Sequence, residues 1–263
     1  MNIKNKRVIV TGAGAGIGKE LVLQLLLKGA YVIALDINEK GLENTKEFSG
    51  NNEKLSLHIV DISDDESINN FKKEYFEKYD VVDILINNAG IIQPFVNVND
   101  IDINTVNRVM NVNFYGPLKL TKLFLPELLK RGEANITNIS SMGGFFPFPG
   151  QTIYGSSKAA LKLFTEGLYA ELLDTKVHVM AVFPGAIATD IAKNSNVEVS
   201  SVSSNIKITS PSKAAETIIK GIEKNKFKLY IGNDSKTMNF LYKMNDKFAI
   251  NLISKKMKDL MKK

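Results

Sequence analysis

The chain has 263 residues, a net charge of +6, 44% hydrophobic residues and no cysteine. That balance of apolar and charged residues belongs to a folded soluble protein rather than a disordered or collagen-like one. The missing cysteines exclude disulfide frameworks, thiolate metal sites and cysteine nucleophiles, and His58 and His178 lie far apart without ligand spacing, so no metal site is expected.

In chain order, the apolar run 7–11 reads as a strand, 16–28 as a helix, and 31–36 as a second strand closing on Asp36, which together make one βαβ unit. The alternation continues with strand 55–60, helix 64–78, strand 81–86, helix 102–124, strand 134–140, helix 152–173 and strand 177–183. Strands separated by helices pair in parallel through right-handed crossovers. Runs such as 82–86 and 177–182 are apolar at almost every position, which suits a sheet covered on both faces. The fold class expected is therefore α/β, a doubly wound parallel sheet of the Rossmann type. After Pro184-Gly185 a polar, Ser/Asn-rich stretch over 193–210 reads as a mobile loop. Pro211 then sits just inside a helix capped by Ser210 and running to 224, and 228–231 is a last strand.

The charge is not spread evenly. Residues 236–263 hold eight lysines and two acids, which is the whole net charge, so the body is neutral and a nucleic-acid groove is not expected. In the same segment Phe240, Leu241, Met244, Phe248, Leu252, Ile253 and Met257 recur at mostly three- and four-residue steps, which predicts one or two basic amphipathic helices. The domain organisation expected is one α/β domain over 1–235, with a substrate loop at 190–210, and a helical tail over 236–263. Three uses of the tail compete: a helix docked over the substrate mouth, which we rank first, an oligomer contact, and a peripheral membrane anchor. No secretory signal precedes the first strand and no window approaches the roughly 18 apolar residues of a membrane span, so a cytoplasmic protein is expected.

The run Gly12-Ala13-Gly14-Ala15-Gly16-Ile17-Gly18 leaves the first strand and opens the first helix, where backbone N–H groups and the helix dipole hold a pyrophosphate. Asp36 closes the second strand 18 residues after Gly18, the position from which a carboxylate reaches the ribose hydroxyls of a dinucleotide. A carboxylate there repels a 2′-phosphate, and the glycine loop carries no Arg or Lys, so NAD is expected rather than NADP.

Tyr154 and Lys158 stand four apart at the start of a predicted helix and project from one face of it. An ammonium beside a phenol, together with the positive nicotinamide of an oxidised cofactor, favours phenolate and lowers a value that is ordinarily about 10, which suits proton transfer. The Thr11-Gly12-x-x-x-Gly16-x-Gly18 spacing with this Tyr-x-x-x-Lys pair resembles the short-chain dehydrogenase/reductase family. The resemblance implies further roles. Asp61, followed by Ile62, matches the family residue beside the adenine; Asn88-Ala89-Gly90 matches the segment closing the fourth strand; Pro184-Gly185 with Thr189 matches the part flanking the nicotinamide, whose ribose Lys158 would bind. Ser141, with Ser140 as the neighbouring alternative, matches the serine that holds the substrate oxygen, and Asn113 the asparagine of a proton relay through Lys158. The family implies NAD(P)-linked hydride transfer at an alcohol or ketone, and dimers or tetramers built partly on helices 102–124 and 152–173. Phe145 and Phe148, with Phe95 and the polar Gln151, predict an apolar pocket for a hydrophobic secondary alcohol or ketone. Two alternatives stand beside this reading, a nonenzymatic dinucleotide sensor and an NADPH-dependent carbonyl reductase.

Overall fold

The computed structural model describes residues 1–189, 191, 195 and 208–257, without the side chain of Lys256. Most of the expected substrate loop at 190–210 and the last six residues of the tail lie outside the described residues. The strands are β1 (Arg7–Thr11), β2 (Tyr31–Asp36), β3 (Leu55–Ile59), β4 (Ile84–Asn87), β5 (Ala134–Ile139), β6 (Val177–Pro184) and β7 (Lys228–Ile231). All pair in parallel in the order β3-β2-β1-β4-β5-β6-β7, so the strand order reverses between β1 and β4 and leaves a crevice at the carboxyl ends. This is the doubly wound Rossmann arrangement expected, in a single domain.

Successive residues of each strand feed opposite cores because their side chains alternate. Val8 and Val10 pack with α1 (Gly16–Leu27) and α7 (Pro211–Glu223) on one face. Ile9 packs on the other, among residues of α3 (Asp65–Lys78), α5 (Gly116–Leu129) and α6 (Thr152–Glu171). Each Val, Leu, Ile or Phe taken fully from water there contributes roughly 1.5–3 kcal/mol, and both cores brace the strand ends that form the crevice.

Two elements differ from the sequence expectation, and the tail takes the two-helix form that it allowed. Helix α2 (Glu39–Phe48) follows β2 where no helix was expected: it carries Gly41 and buries only Leu42 and Thr45, so its apolar period is faint. Asn38 caps it by accepting from Gly41 N at 3.1 Å. The single helix expected over 102–124 is α4 (Ile103–Met110), a π-helical turn (Asn111–Tyr115) and α5, which continues past Pro126 to Leu129. The widened turn is a recognised way to insert one residue into a helix, and here it lies around Asn113. The tail forms two helices, α8 (Asn233–Met244) and α9 (Asp246–Met257), parted by the extended Asn245, whose side chain accepts from Phe248 N at 2.9 Å. No helix of the described residues is long and apolar enough to cross a membrane.

Candidate active site

Thr11, the last residue of β1, ties the crevice together. Its Oγ1 accepts from Asn88 N and Ala89 N, both at 3.0 Å, while Asn88 Nδ2 donates to Thr11 O at 2.9 Å. The glycine loop is pressed against this junction. A β-carbon on Gly12, whose φ is +66°, would stand 2.9 Å from Ala89 Cα, and one on Gly18 would overlap Gly12 O, so neither position accepts a side chain without moving the backbone. Asp36 bridges loop and strand: Oδ2 accepts from Gly14 N at 2.8 Å and Oδ1 from Asn38 N at 2.9 Å.

A cleft of about 830 Å³ runs along these strand ends, within the ~300–1,000 Å³ typical of cofactor sites. Asp36, Asp61 and Ile62 line one part, Gly12, Gly14, Gly16, Ile17 and Asn88-Ala89-Gly90 the loop, and Ser141, Tyr154, Lys158, Pro184, Gly185 and Thr189 complete it. Gly18 and Asn113 lie beneath the wall rather than in it. The glycine cradle, the helix N-terminus and the carboxylate fit a dinucleotide: backbone N–H groups for phosphates and a carboxylate for hydroxyls. Among the described residues no cluster of potential ligands for a metal ion occurs.

Ser141 follows β5 and caps a short 3₁₀ turn, its Oγ accepting from Gly143 N at 3.0 Å. Ser140 Oγ instead donates to Lys158 O at 2.8 Å and is buried, so Ser141 is the better placed of the two to meet a ligand. Lys158, 3% exposed, donates to Ile139 O at 3.0 Å. Burial pushes its ammonium down to about 8 from the ordinary 10.5. Burial pushes the partly buried Tyr154 phenol up, and a hydrogen bond with Ser141 pulls it part of the way back. In the protein by itself desolvation is the larger influence on the phenol, so a lowered tyrosine depends on the charge that an oxidised cofactor brings. Asn113 is fully engaged: Oδ1 accepts from Ile91 N, and Nδ2 donates to Ile91 O and Ser157 Oγ, each at 2.9 Å.

The phenylalanine wall is corrected by the structure. Phe145 packs edge-on against Phe183 and Tyr230, and Phe148 against the buried Phe146, because the turn after Ser141 folds back toward β6 and the tail. Gln151 is buried with Nε2 donating to Gln93 O at 2.7 Å. None of the three lines the cleft; Phe95 does, with Ile91, Ile187 and Ile191. Two contributors went unnoticed in the sequence. Asp234, in the first turn of α8, accepts from Ala186 N at 2.6 Å and, with Ser235 Oγ donating to Phe183 O at 2.8 Å, ties the tail to the Pro184-Gly185 segment. Gln93 reaches the first turn of α6. Nothing local marks either pairing: Asp234 accepts from Ala186 N rather than capping its own helix, and Gln93 caps a helix far along the chain.

Fold and cleft define an α/β protein of the Rossmann class with a nucleotide-binding crevice. The model of the short chain dehydrogenase family matches residues 6–200. The chain is 30% identical over 254 residues to a Mycobacterium tuberculosis (strain H37Rv) protein named as an oxidoreductase, SadH, covering 91% of both. It is 34% identical over 196 residues to the 3-oxoacyl-(acyl-carrier-protein) reductase FabG of Thermotoga maritima, 73% of this chain and 78% of that one. Among solved structures, a short chain dehydrogenase/reductase of Burkholderia phymatum in complex with NAD superposes at a TM-score of 0.80 with 22% identity over 88% of this chain and 90% of that one. One of Burkholderia cenocepacia J2315 in complex with NADP gives 0.81 with 24% identity, over 96% and 99%. The chain is an oxidoreductase of the short-chain dehydrogenase/reductase family.

Proposed function

We propose that this protein is an NAD(H)-dependent oxidoreductase that interconverts a hydrophobic secondary alcohol and its ketone, with Tyr154 as general acid/base. The observation that carries the reading is that Ser141, Tyr154 and Lys158 line the same cleft as the glycine loop and Asp36. The cofactor supplies the hydride acceptor or donor when bound. The chain supplies the rest. Tyr154 gives or takes the proton at the substrate oxygen, Ser141 orients that oxygen and steadies its developing charge, and Lys158 holds the cofactor ribose and moves protons on the far side of the phenol. Asn113, fixed by Ile91 and Ser157, orders that far side. Phe95, Ile91, Ile187 and Ile191 supply the apolar contact that an aliphatic or acyl ketone requires. The FabG relative, a 3-oxoacyl reductase by name, supports a carbonyl substrate of this kind. A substrate panel checks it: small polar polyols outcompeting aliphatic or acyl ketones would contradict the apolar pocket.

Asp36 accepts one backbone N–H on each oxygen and retains lone pairs for ribose hydroxyls. Its charge opposes a 2′-phosphate. One observation favours the second reading, an NADPH-dependent carbonyl reductase: Arg108 of α4 is exposed and also lines the cleft. Fluorescence titration with NADH and NADPH separates the two. NADH is expected to bind at least about tenfold more tightly, roughly 1.4 kcal/mol, and Asp36→Ala to narrow the gap. Tighter NADPH binding that Arg108→Ala abolishes would establish the second reading instead.

A further inference from the structure

Gln93 lies on the segment that leaves β4 and is 1% exposed. Its side chain is spent entirely on the start of α6. Oε1 accepts from Ile153 N at 2.8 Å and from Tyr154 N at 2.9 Å, and Nε2 donates to Gly150 O at 3.0 Å. Its backbone carbonyl accepts from Gln151 Nε2 at 2.7 Å. Gln151 itself, at the cap position of α6, makes no side-chain capping bond. First-turn N–H groups have no partner within a helix, and here two of them are satisfied by an amide about sixty residues away in sequence. One of the two belongs to Tyr154. Two residues upstream, Ile91 is bonded through both its N–H and its carbonyl to Asn113, which also holds Ser157 of α6. The 91–93 segment therefore joins the stretch that follows β4, whose Ala89 and Gly90 line the cleft, to α6 at two places.

We propose that Gln93 is a positioning residue that sets where the Tyr154 phenol stands over the cleft, by fixing the backbone of Tyr154 to the stretch that follows β4. The inference rests on the reading of Tyr154 as the acid/base. A capping bond that serves stability alone is worth about 1 kcal/mol and leaves the turnover of folded enzyme intact. A bond that holds a reacting group does more, because a displacement of about 1 Å costs on the order of 100-fold in rate.

The test compares Gln93→Met, similar in volume and unable to cap, with Gln93→Glu, which keeps the acceptor for Ile153 N and Tyr154 N. For Gln93→Met we expect kcat per folded enzyme to fall on the order of 100-fold, with NADH affinity within about two-fold of wild type. Gln93→Glu, whose buried carboxyl stays protonated and can still donate to Gly150 O, is expected to recover most of kcat. Amide hydrogen exchange reads the clamp without turnover: Ile153 and Tyr154 exchange at least about tenfold faster in Gln93→Met, while Gly155, bonded to Gln151 O, does not change. The proposal is overturned if Gln93→Met keeps wild-type kcat while losing only stability, if Gln93→Glu recovers none of the kcat that Gln93→Met loses, or if the two amides exchange as before. Tyr154→Phe in the same assay tells which idea has failed: if it retains turnover, the acid/base reading falls and the positioning role with it; if it is inactive, any of the former outcomes counts against Gln93 alone.

Discussion

Tyr154→Phe is expected to lower kcat by about 10²–10⁴-fold, the usual contribution of a positioned acid/base, and to leave NADH affinity within about two-fold. The substitution removes one oxygen and little else. The ring stays beside Gly143, where a β-carbon would lie 3.3 Å from Tyr154 Cε1, and the backbone N–H stays bonded to Gln93. Because the lost proton transfer belongs to the transition state, kcat and kcat/KM are expected to fall together. Steady-state kinetics with a parallel NADH titration measures both; an affinity loss matching the loss of rate would assign the phenol to binding instead.

Lys158→Met is expected to lower turnover on a comparable scale and to stabilise the fold. Lys158 is 3% exposed, desolvation alone shifts it, and its pKa is pushed down to about 8. The sign follows from proton linkage. Between about 8 and 10.5 the unfolded chain binds the lysine proton and the folded protein does not, so wild-type stability gains from rising pH across that window, and the full cost of the buried charge is present below it. The desolvation cost is roughly 3 kcal/mol; losing the bond to Ile139 O returns about 1 kcal/mol of that. The variant is therefore expected to be about 2 kcal/mol more stable near neutral pH, by urea unfolding, with the advantage shrinking as pH approaches 10.5. A variant less stable at both ends of that window would mean that Lys158 is held by more than the Ile139 carbonyl.

Much of this arrangement is legible in the sequence because it is written locally. The continuously apolar strands, the glycine run after β1 and Asp36 at the end of β2 each constrain a short stretch, and the order of strands and helices follows from their alternation. What the sequence hides are contacts between distant segments. Gln93 meets Tyr154 N across 61 residues and Asp234 meets Ala186 N across 48, and neither pairing leaves a periodic trace. Helix α2 escaped because it buries only Leu42 and Thr45 and because Gly41, an unfavourable helix residue, is kept for its close approach to the glycine loop, where a β-carbon would lie 3.0 Å from Gly14 O. The apolar run Phe145-Phe146-Pro147-Phe148 reads equally as a pocket wall or as packing, since hydrophobicity alone does not say which surface a side chain meets; Phe183 and Tyr230 decide that for Phe145.

Hydride transfer with a nicotinamide cofactor at a hydrophobic carbinol carbon is measured by following reduction of NAD across a panel of aliphatic, cyclic and acyl-chain secondary alcohols. NAD-linked oxidation of hydrophobic members of the panel, abolished in Tyr154→Phe, is the expected result. NADH binding without turnover of any alcohol or ketone in either direction would contradict it, and would leave the protein a dinucleotide sensor built on the same fold.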